Sequence, residues 1–138
     1  MSPLVWSEQI ATHVTVIDYE HKQLVALLNQ VEALQGKQST QDAKVEVVQA
    51  LVEYANKHFL VEEELMLAHG YPGYEKHRIE HDDFRSKVTQ LENDLVENNM
   101  DIMQFISNYL GRWIVNHIQK VDKHLATFLL QKSPQGHL

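Results

Sequence analysis

Residues 54–84 read YANKHFLVEEELMLAHGYPGYEKHRIEHDDF, and they set both the fold and its chemistry. Two segments of helical periodicity flank the punctuation Gly70-Tyr71-Pro72-Gly73, so one helix ends at His69-Gly70 and another begins after the turn. Ala55, His58, Glu62, Leu65 and Met66 repeat on one stripe of the first segment, and His77, His81 and Phe84 on one stripe of the second. A step of four residues turns an α-helix by about 400°, so His58 with Glu62, and His77 with His81, each share a face. Polar groups on an apolar stripe are costly unless something compensates them. Two such pairs facing one interior are hard to obtain by accident.

Outward from this stretch the same spacing continues. A first helix is expected from about Asp18, a plausible N-cap, to Gly36, with Leu24, Leu27, Leu28, Val31 and Leu34 inward. Lys37 to Thr40 reads as a turn in which Ser39 or Thr40 caps the second helix, whose inward stripe begins at Val47, Val48 and Leu51. The third helix adds Val88, Leu91 and Leu95 and stops near Asn98-Asn99; the fourth runs from about Met100 to Gln131. Short connections make neighbouring helices antiparallel, which predicts an all-α, antiparallel up-down-up-down four-helix bundle with a short N-terminal arm. The expected organisation is one domain over 1–138: an arm over about 1–17, the bundle over about 18–131, and a short tail. Strand-type alternation appears over no useful length, although Thr12 to Ile17 has some β-branched character.

Composition narrows the chemistry. A chain of 138 residues is long enough for one domain with a sizeable core and too short for two ordinary ones. No apolar run approaches the roughly 20 residues of a membrane helix, and Met1 to Trp6 lack the basic and apolar regions of a secretory signal, so the cytoplasm is expected. A formal net charge of -7 would repel a phosphate backbone, which argues against nucleic acid as a partner. With no cysteine and nine histidines, the strong metal ligands available are imidazole and carboxylate.

His21 near the start of the first helix, and His117 and Asp122 on the fourth, join the two pairs. In alternating helices the late part of the second meets the early parts of the first and third and the later part of the fourth at one level. His21, His58, Glu62, His77, His81, His117 and Asp122 can therefore converge on one interior metal site. A lone histidine on such a stripe is more often a hydrogen-bonded core residue, and for His21 alone that reading would stand. His13 in the arm, His69 at a helix end and His137 in the tail read as surface residues. His124 returns to the face of His117 but lies about 10.5 Å along the axis, too far for the same site.

The set His21, His58-x-x-x-Glu62, His77-x-x-x-His81, His117-x-x-x-x-Asp122 resembles the hemerythrins, in particular their single-domain bacterial form. Further motifs carry the resemblance over nearly the whole chain: the Trp6 arm, Val16-Ile17-Asp18 before His21-Lys22, Glu62-Glu63-Glu64-Leu65-Met66, and Gly70-Tyr71-Pro72 before His77. All seven ligand positions fit the family pattern. The resemblance implies two iron ions joined by an oxo or hydroxo bridge, with His77, His81 and His117 on one, His21 and His58 on the other, and Glu62 and Asp122 bridging. It further implies dioxygen as the ligand, bound reversibly at the iron with an open position, and no catalytic residue. On that stoichiometry oxygenation buries no new charge, because a proton only moves from bridge to ligand. Leu24, Phe59, Trp113, Ile114 and Ile118 resemble the positions lining the family's oxygen pocket and offer no acid. A diiron redox enzyme (oxidase, peroxidase or nitric-oxide-handling protein) is the alternative on the same site. A reductase or an oxygen-consuming enzyme is then the partner class, and a monomer is the expected state.

One spacing resists a regular helix. Five residues separate His117 from Asp122, which leaves their side chains about 140° apart around the axis. Because Ile118 to Val121 contains no Gly, Pro or Ser, a regular helix passing the site side-on is expected, with a π-bulge as the alternative.

Overall fold

The computed structural model describes residues 7, 10–34, 40–97 and 103–136. Trp6, Gly36, Lys37, Ser39, Asn98, Asn99, Met100 and His137, all part of the sequence reading above, lie outside the described residues. The helices are α1 (Thr15–Ala33), α2 (Gln41–Ala68), α3 (Tyr74–Glu97) and a fourth in three continuous pieces. These pieces are α4 (Met103–Asn116), a π turn (His117–Asp122) and α5 (Lys123–Lys132). Helix α1 packs on α2 and α4, and α3 packs on α2 and α4, which closes the four-helix bundle. Among the described residues no helix is long and apolar enough to cross a membrane.

Local chemistry sets the ends. The Thr40 hydroxyl accepts the Ala43 N–H at 3.1 Å and caps α2. At the other end of α2, Tyr71 N–H donates to the Met66 carbonyl at 2.9 Å and Gly70 adopts φ 66°, the left-handed conformation that terminates a helix in this way. The expected role of Asp18 is corrected. Helix α1 starts three residues earlier, at Thr15, and Asp18 in its first turn reaches back to accept Thr12 N–H and Oγ1–H, both at 2.7 Å, and His13 N–H at 2.9 Å. The carboxylate therefore fixes the arm rather than capping the helix with its own backbone. The tail closes over the same end: Thr15 N–H donates to the Gly136 carbonyl at 3.0 Å, and a side chain on Gly136 would meet the His13 carbonyl oxygen.

Among the described residues the interior has two apolar layers. The larger includes Leu24 and Leu28 of α1, Leu51 and Phe59 of α2, Phe84 and Leu91 of α3, and Ile106, Leu110 and Ile114 of α4, continuing to Ile118. The smaller joins Val14, Ile17, Met66, Leu125, Ala126 and Leu129 near the arm. The buried histidines and carboxylates lie at the level where the two layers meet, as His21 does between Ile17 of the smaller and Leu24 of the larger.

Candidate metal centre

All seven residues singled out by the sequence are buried and meet in one cluster. Glu62, His77, His81, His117 and Asp122 bring ligand atoms within 4.8 Å of one another, and so do His21, His58, Glu62 and Asp122. The two groups share both carboxylates, and the carboxylates divide their oxygens between them. Asp122 Oδ1 lies 2.9 Å from His117 Nε2 and 3.1 Å from His77 Nε2, while its Oδ2 lies 2.6 Å from His21 Nε2 and 3.7 Å from His58 Nε2. Glu62 Oε1 lies 3.1 Å from His81 Nε2 and 3.4 Å from His77 Nε2, while its Oε2 lies 3.3 Å from His58 Nε2.

The outer sides of the rings are held as well. His58 Nδ1 faces Glu20 Oε1 at 2.8 Å, and His81 Nδ1 faces Glu63 Oε2 at 2.7 Å. With Nδ1 as the donor in each case, a neutral ring presents its Nε2 lone pair inward, as a metal ligand requires. Arg85 donates to Glu63 at 3.0 Å and holds that carboxylate in place. Phe59 stacks on the His81 ring at 4.0 Å, and Trp113 on the His117 ring at 4.5 Å, which fixes the planes of both imidazoles.

The donor set fits a pair of cations. Nε2 of His117 lies 3.1 Å from that of His81 and 3.2 Å from that of His77, so ring nitrogens crowd where lone pairs alone would repel. Buried atoms of the cluster, including Glu62 Oε2, His58 Nε2 and Asp122 Oδ1, lack hydrogen-bond partners. Electrostatics point the same way. Burial alone would lower the His58 and His117 pKa values, yet the nearby charges of Glu62 and Asp122, with their hydrogen bonds, hold both well above the ordinary value. His77, pushed down by burial, is raised to about 9 by hydrogen bonds to Asp122 and Glu62 and by their charges. Burial and mutual repulsion would raise Glu62, but His58 and His117 keep it well below the usual carboxylate range; His117, His21 and His58 do the same for Asp122 against burial. Without metal the protein must charge imidazoles to balance two buried carboxylates. Divalent or trivalent cations bound by neutral imidazoles meet the same demand.

The fourth helix corrects the expectation of a regular backbone. His117–Asp122 is a π turn, with i to i+5 hydrogen bonding in place of i to i+4. The wider turn brings His117 and Asp122 to the same side, so that His117 Nε2 and Asp122 Oδ1 approach to 2.9 Å. The absence of Gly, Pro and Ser misled the reading because the distortion arises from what the two side chains meet, not from a helix-breaking residue.

Leu24, Phe59, Trp113, Ile114 and Ile118 line one cavity, together with Ala55, His58, His117 and Asp122. It has room for about one water-sized molecule. His13 and His124 are exposed and His69 is the C-cap of α2, so none of them joins the cluster. Sequence reading missed Glu20, Glu63, Arg85 and Ala55. Glu20 and Glu63 are the chain neighbours of His21 and Glu62, and the need of an imidazole ligand for a partner on its other nitrogen was the signal that could have found them.

Comparison with known proteins agrees with this geometry. The family described as the hemerythrin HHE cation binding domain matches residues 12–129. The bacteriohemerythrin of Pseudomonas aeruginosa is 34% identical over 144 aligned residues, covering 99% of this chain and 92% of that protein. The hemerythrin of Themiste dyscrita is 31% identical, covering 87% of this chain and 88% of that one. A crystal structure of wild-type hemerythrin superimposes with a TM-score of 0.85 at 25% identity, covering 93% of this chain and 98% of that one.

Proposed function

The chain belongs to the hemerythrin family, and on that premise we propose that it binds dioxygen reversibly at a pair of non-haem iron ions. The observation that carries this reading is the division of the two shared carboxylates, each with one oxygen toward histidines of the group His77, His81 and His117 and the other toward the group His21 and His58. His77, His81 and His117 would hold one ion, His21 and His58 the other, and Glu62 and Asp122 would bridge. A pair of ferrous ions held by these residues would supply the electrons that dioxygen binding requires.

The protein's own residues then decide between carrying and consuming oxygen. Leu24, Ala55, Phe59, Trp113, Ile114 and Ile118 surround the small cavity beside His58 and His117 and keep it apolar. None of these six is an acid, and the other lining residues, His58, His117 and Asp122, would be committed to the metal, so cleavage of the O–O bond would find no free acid at hand. Glu20 and Glu63 face Nδ1 of His58 and His81, which orients both rings with Nε2 inward. Five imidazoles against two carboxylates give less anionic support to high oxidation states than carboxylate-rich bundles do.

An oxygen electrode tests the reading. Reduced, iron-loaded protein should take up about one dioxygen per chain and then stop, even with excess reductant. Continued consumption would assign the site to a diiron redox enzyme instead.

A further inference from the structure

The imidazoles of the cluster differ on the side that faces away from it. His58 and His81 give their Nδ1 protons to Glu20 and Glu63. His77 is only 2% exposed, its Nε2 is directed at Asp122 and His117, and its Nδ1 has no protein partner. His77 is also one wall of a surface cleft of about 180 Å³ that includes Lys76, Glu80, Lys120 and His124. The cleft lies beside the first turn of α3 and the π turn. Lys120 belongs to that turn, whose two ends carry His117 and Asp122 to the interior.

The charges here run against those of the molecule. In a chain of net charge -7, two lysines share the cleft with one carboxylate, Glu80. Glu80 Oε1 lies 3.7 Å from His117 Nδ1, so that charge is partly turned toward the cluster. The N-terminal end of α3 adds a positive field of its own. Size excludes most organic ligands, because sites for drug-sized molecules run from about 300 Å³ upward. An ion of phosphate size suits the space.

We propose that this cleft binds a small oxoanion, held by the His77 Nδ1–H and by the ammonium groups of Lys76 and Lys120, with His124 beside them. The donor role of Nδ1 rests on the metal reading above, since Nε2 must be the ligand atom for the proton to sit on Nδ1; the charge of the cleft does not. The bound anion does for His77 what Glu20 and Glu63 do for their histidines, strengthening the imidazole as a donor to the metal. Unlike them it can leave. The cleft is therefore a place where a solution anion tunes the centre without entering it.

Inorganic phosphate is the probe, titrated calorimetrically into the metal-loaded protein at an ionic strength held constant with sodium chloride. Wild type should bind saturably at one site, and Lys120→Glu should bind about tenfold more weakly. Glu80→Gln should bind more tightly. Lys87→Glu, beside Phe105 and Tyr109 and outside the cleft, should bind like wild type. In the same samples phosphate should shift the visible absorption of wild type and leave that of Lys120→Glu unchanged. No saturable binding by wild type, or equal binding by Lys120→Glu, overturns the proposal. Metal analysis of the same protein keeps the two readings apart: phosphate binding that depends on Lys120 in a chain holding no iron would uphold the cleft and reject the iron centre.

Discussion

Helix α3 and the fourth helix each deliver two residues to the cluster, and they do so with different backbones. On α3, His77 and His81 are four apart and a regular helix puts both rings on one face, 4.5 Å between centroids. On the fourth helix, His117 and Asp122 are five apart, and the backbone takes up the extra residue as a π turn between two α-helical pieces. Phe84, Val88 and Leu91 after His81, and Leu125 and Leu129 after Asp122, are all buried. Both helices thus satisfy the cluster and the core at once. The difference teaches that a five-residue step between inward-facing groups is a local insertion, absorbed within one turn rather than passed along the helix.

Deleting single residues should expose this contrast most sharply. Removing the exposed Ile79 from α3 would rotate everything after it by about 100°, turning Phe84, Val88, Leu91 and Leu95 away from the core. That variant should fail to bind metal and lose its cooperative melt by circular dichroism; retention of both would mean that α3 tolerates a shift of register. A large effect is expected next from Asp122→Ala. The carboxylate whose oxygens face both histidine groups is lost, and metal content by elemental analysis should fall from about two ions per chain to near none. Asp122→Asn, which keeps the shape and removes the charge, should fall between. Full occupancy in Asp122→Ala would remove the bridging role.

Acidity should separate the same two regions in the metal-free protein. His77 on α3, raised from 6.5 to about 9, contributes stability that is complete below pH 6.5 and lost as pH rises through about 9. Asp122 at the end of the π turn, held well below the usual range, contributes stability that is complete above that range and lost only in strong acid. Melting temperature should therefore decline between pH 6.5 and 9 without metal, by a few degrees for each kcal/mol lost. Metal-loaded protein should not decline there, because imidazole ligands must be neutral to bind. Parallel profiles for the two forms would contradict a buried centre.

The smallest effect is expected from deleting Gln119, which is exposed within the π turn. Removing the inserted residue leaves a regular helix in which His117 and Asp122 are four apart and α5 keeps its register. Metal content should stay near two ions per chain, with a change in melting temperature far smaller than for the Ile79 deletion. Loss of both ions would show that the wider turn itself, and not merely the facing of its ends, is required.

How much was legible follows the same division. Helical spacing with apolar stripes gave the four helices, and ligand-type residues on those stripes gave the seven that meet, because both depend only on the period of the helix. The five-residue step marked where the fourth helix could not stay regular, but the choice between a side-on helix and a π turn fell the wrong way, since the turn is caused by the demand of the cluster on His117 and Asp122 rather than by any residue between them. Asp18 was misread because a first-turn carboxylate can serve a preceding arm as readily as the helix start. Glu20 and Glu63 look like ordinary surface carboxylates in the sequence. Only the packing of α1 on α2, and of α2 on α3, shows that one reaches His58 and the other His81.

The central claim is most directly tested by counting metal and watching the visible spectrum of the reduced protein through a cycle of air and argon. About two irons per chain, with an absorption band that rises in air and disappears again under argon, is the predicted result. A single zinc per chain, or a band that persists after oxygen is removed, would contradict it.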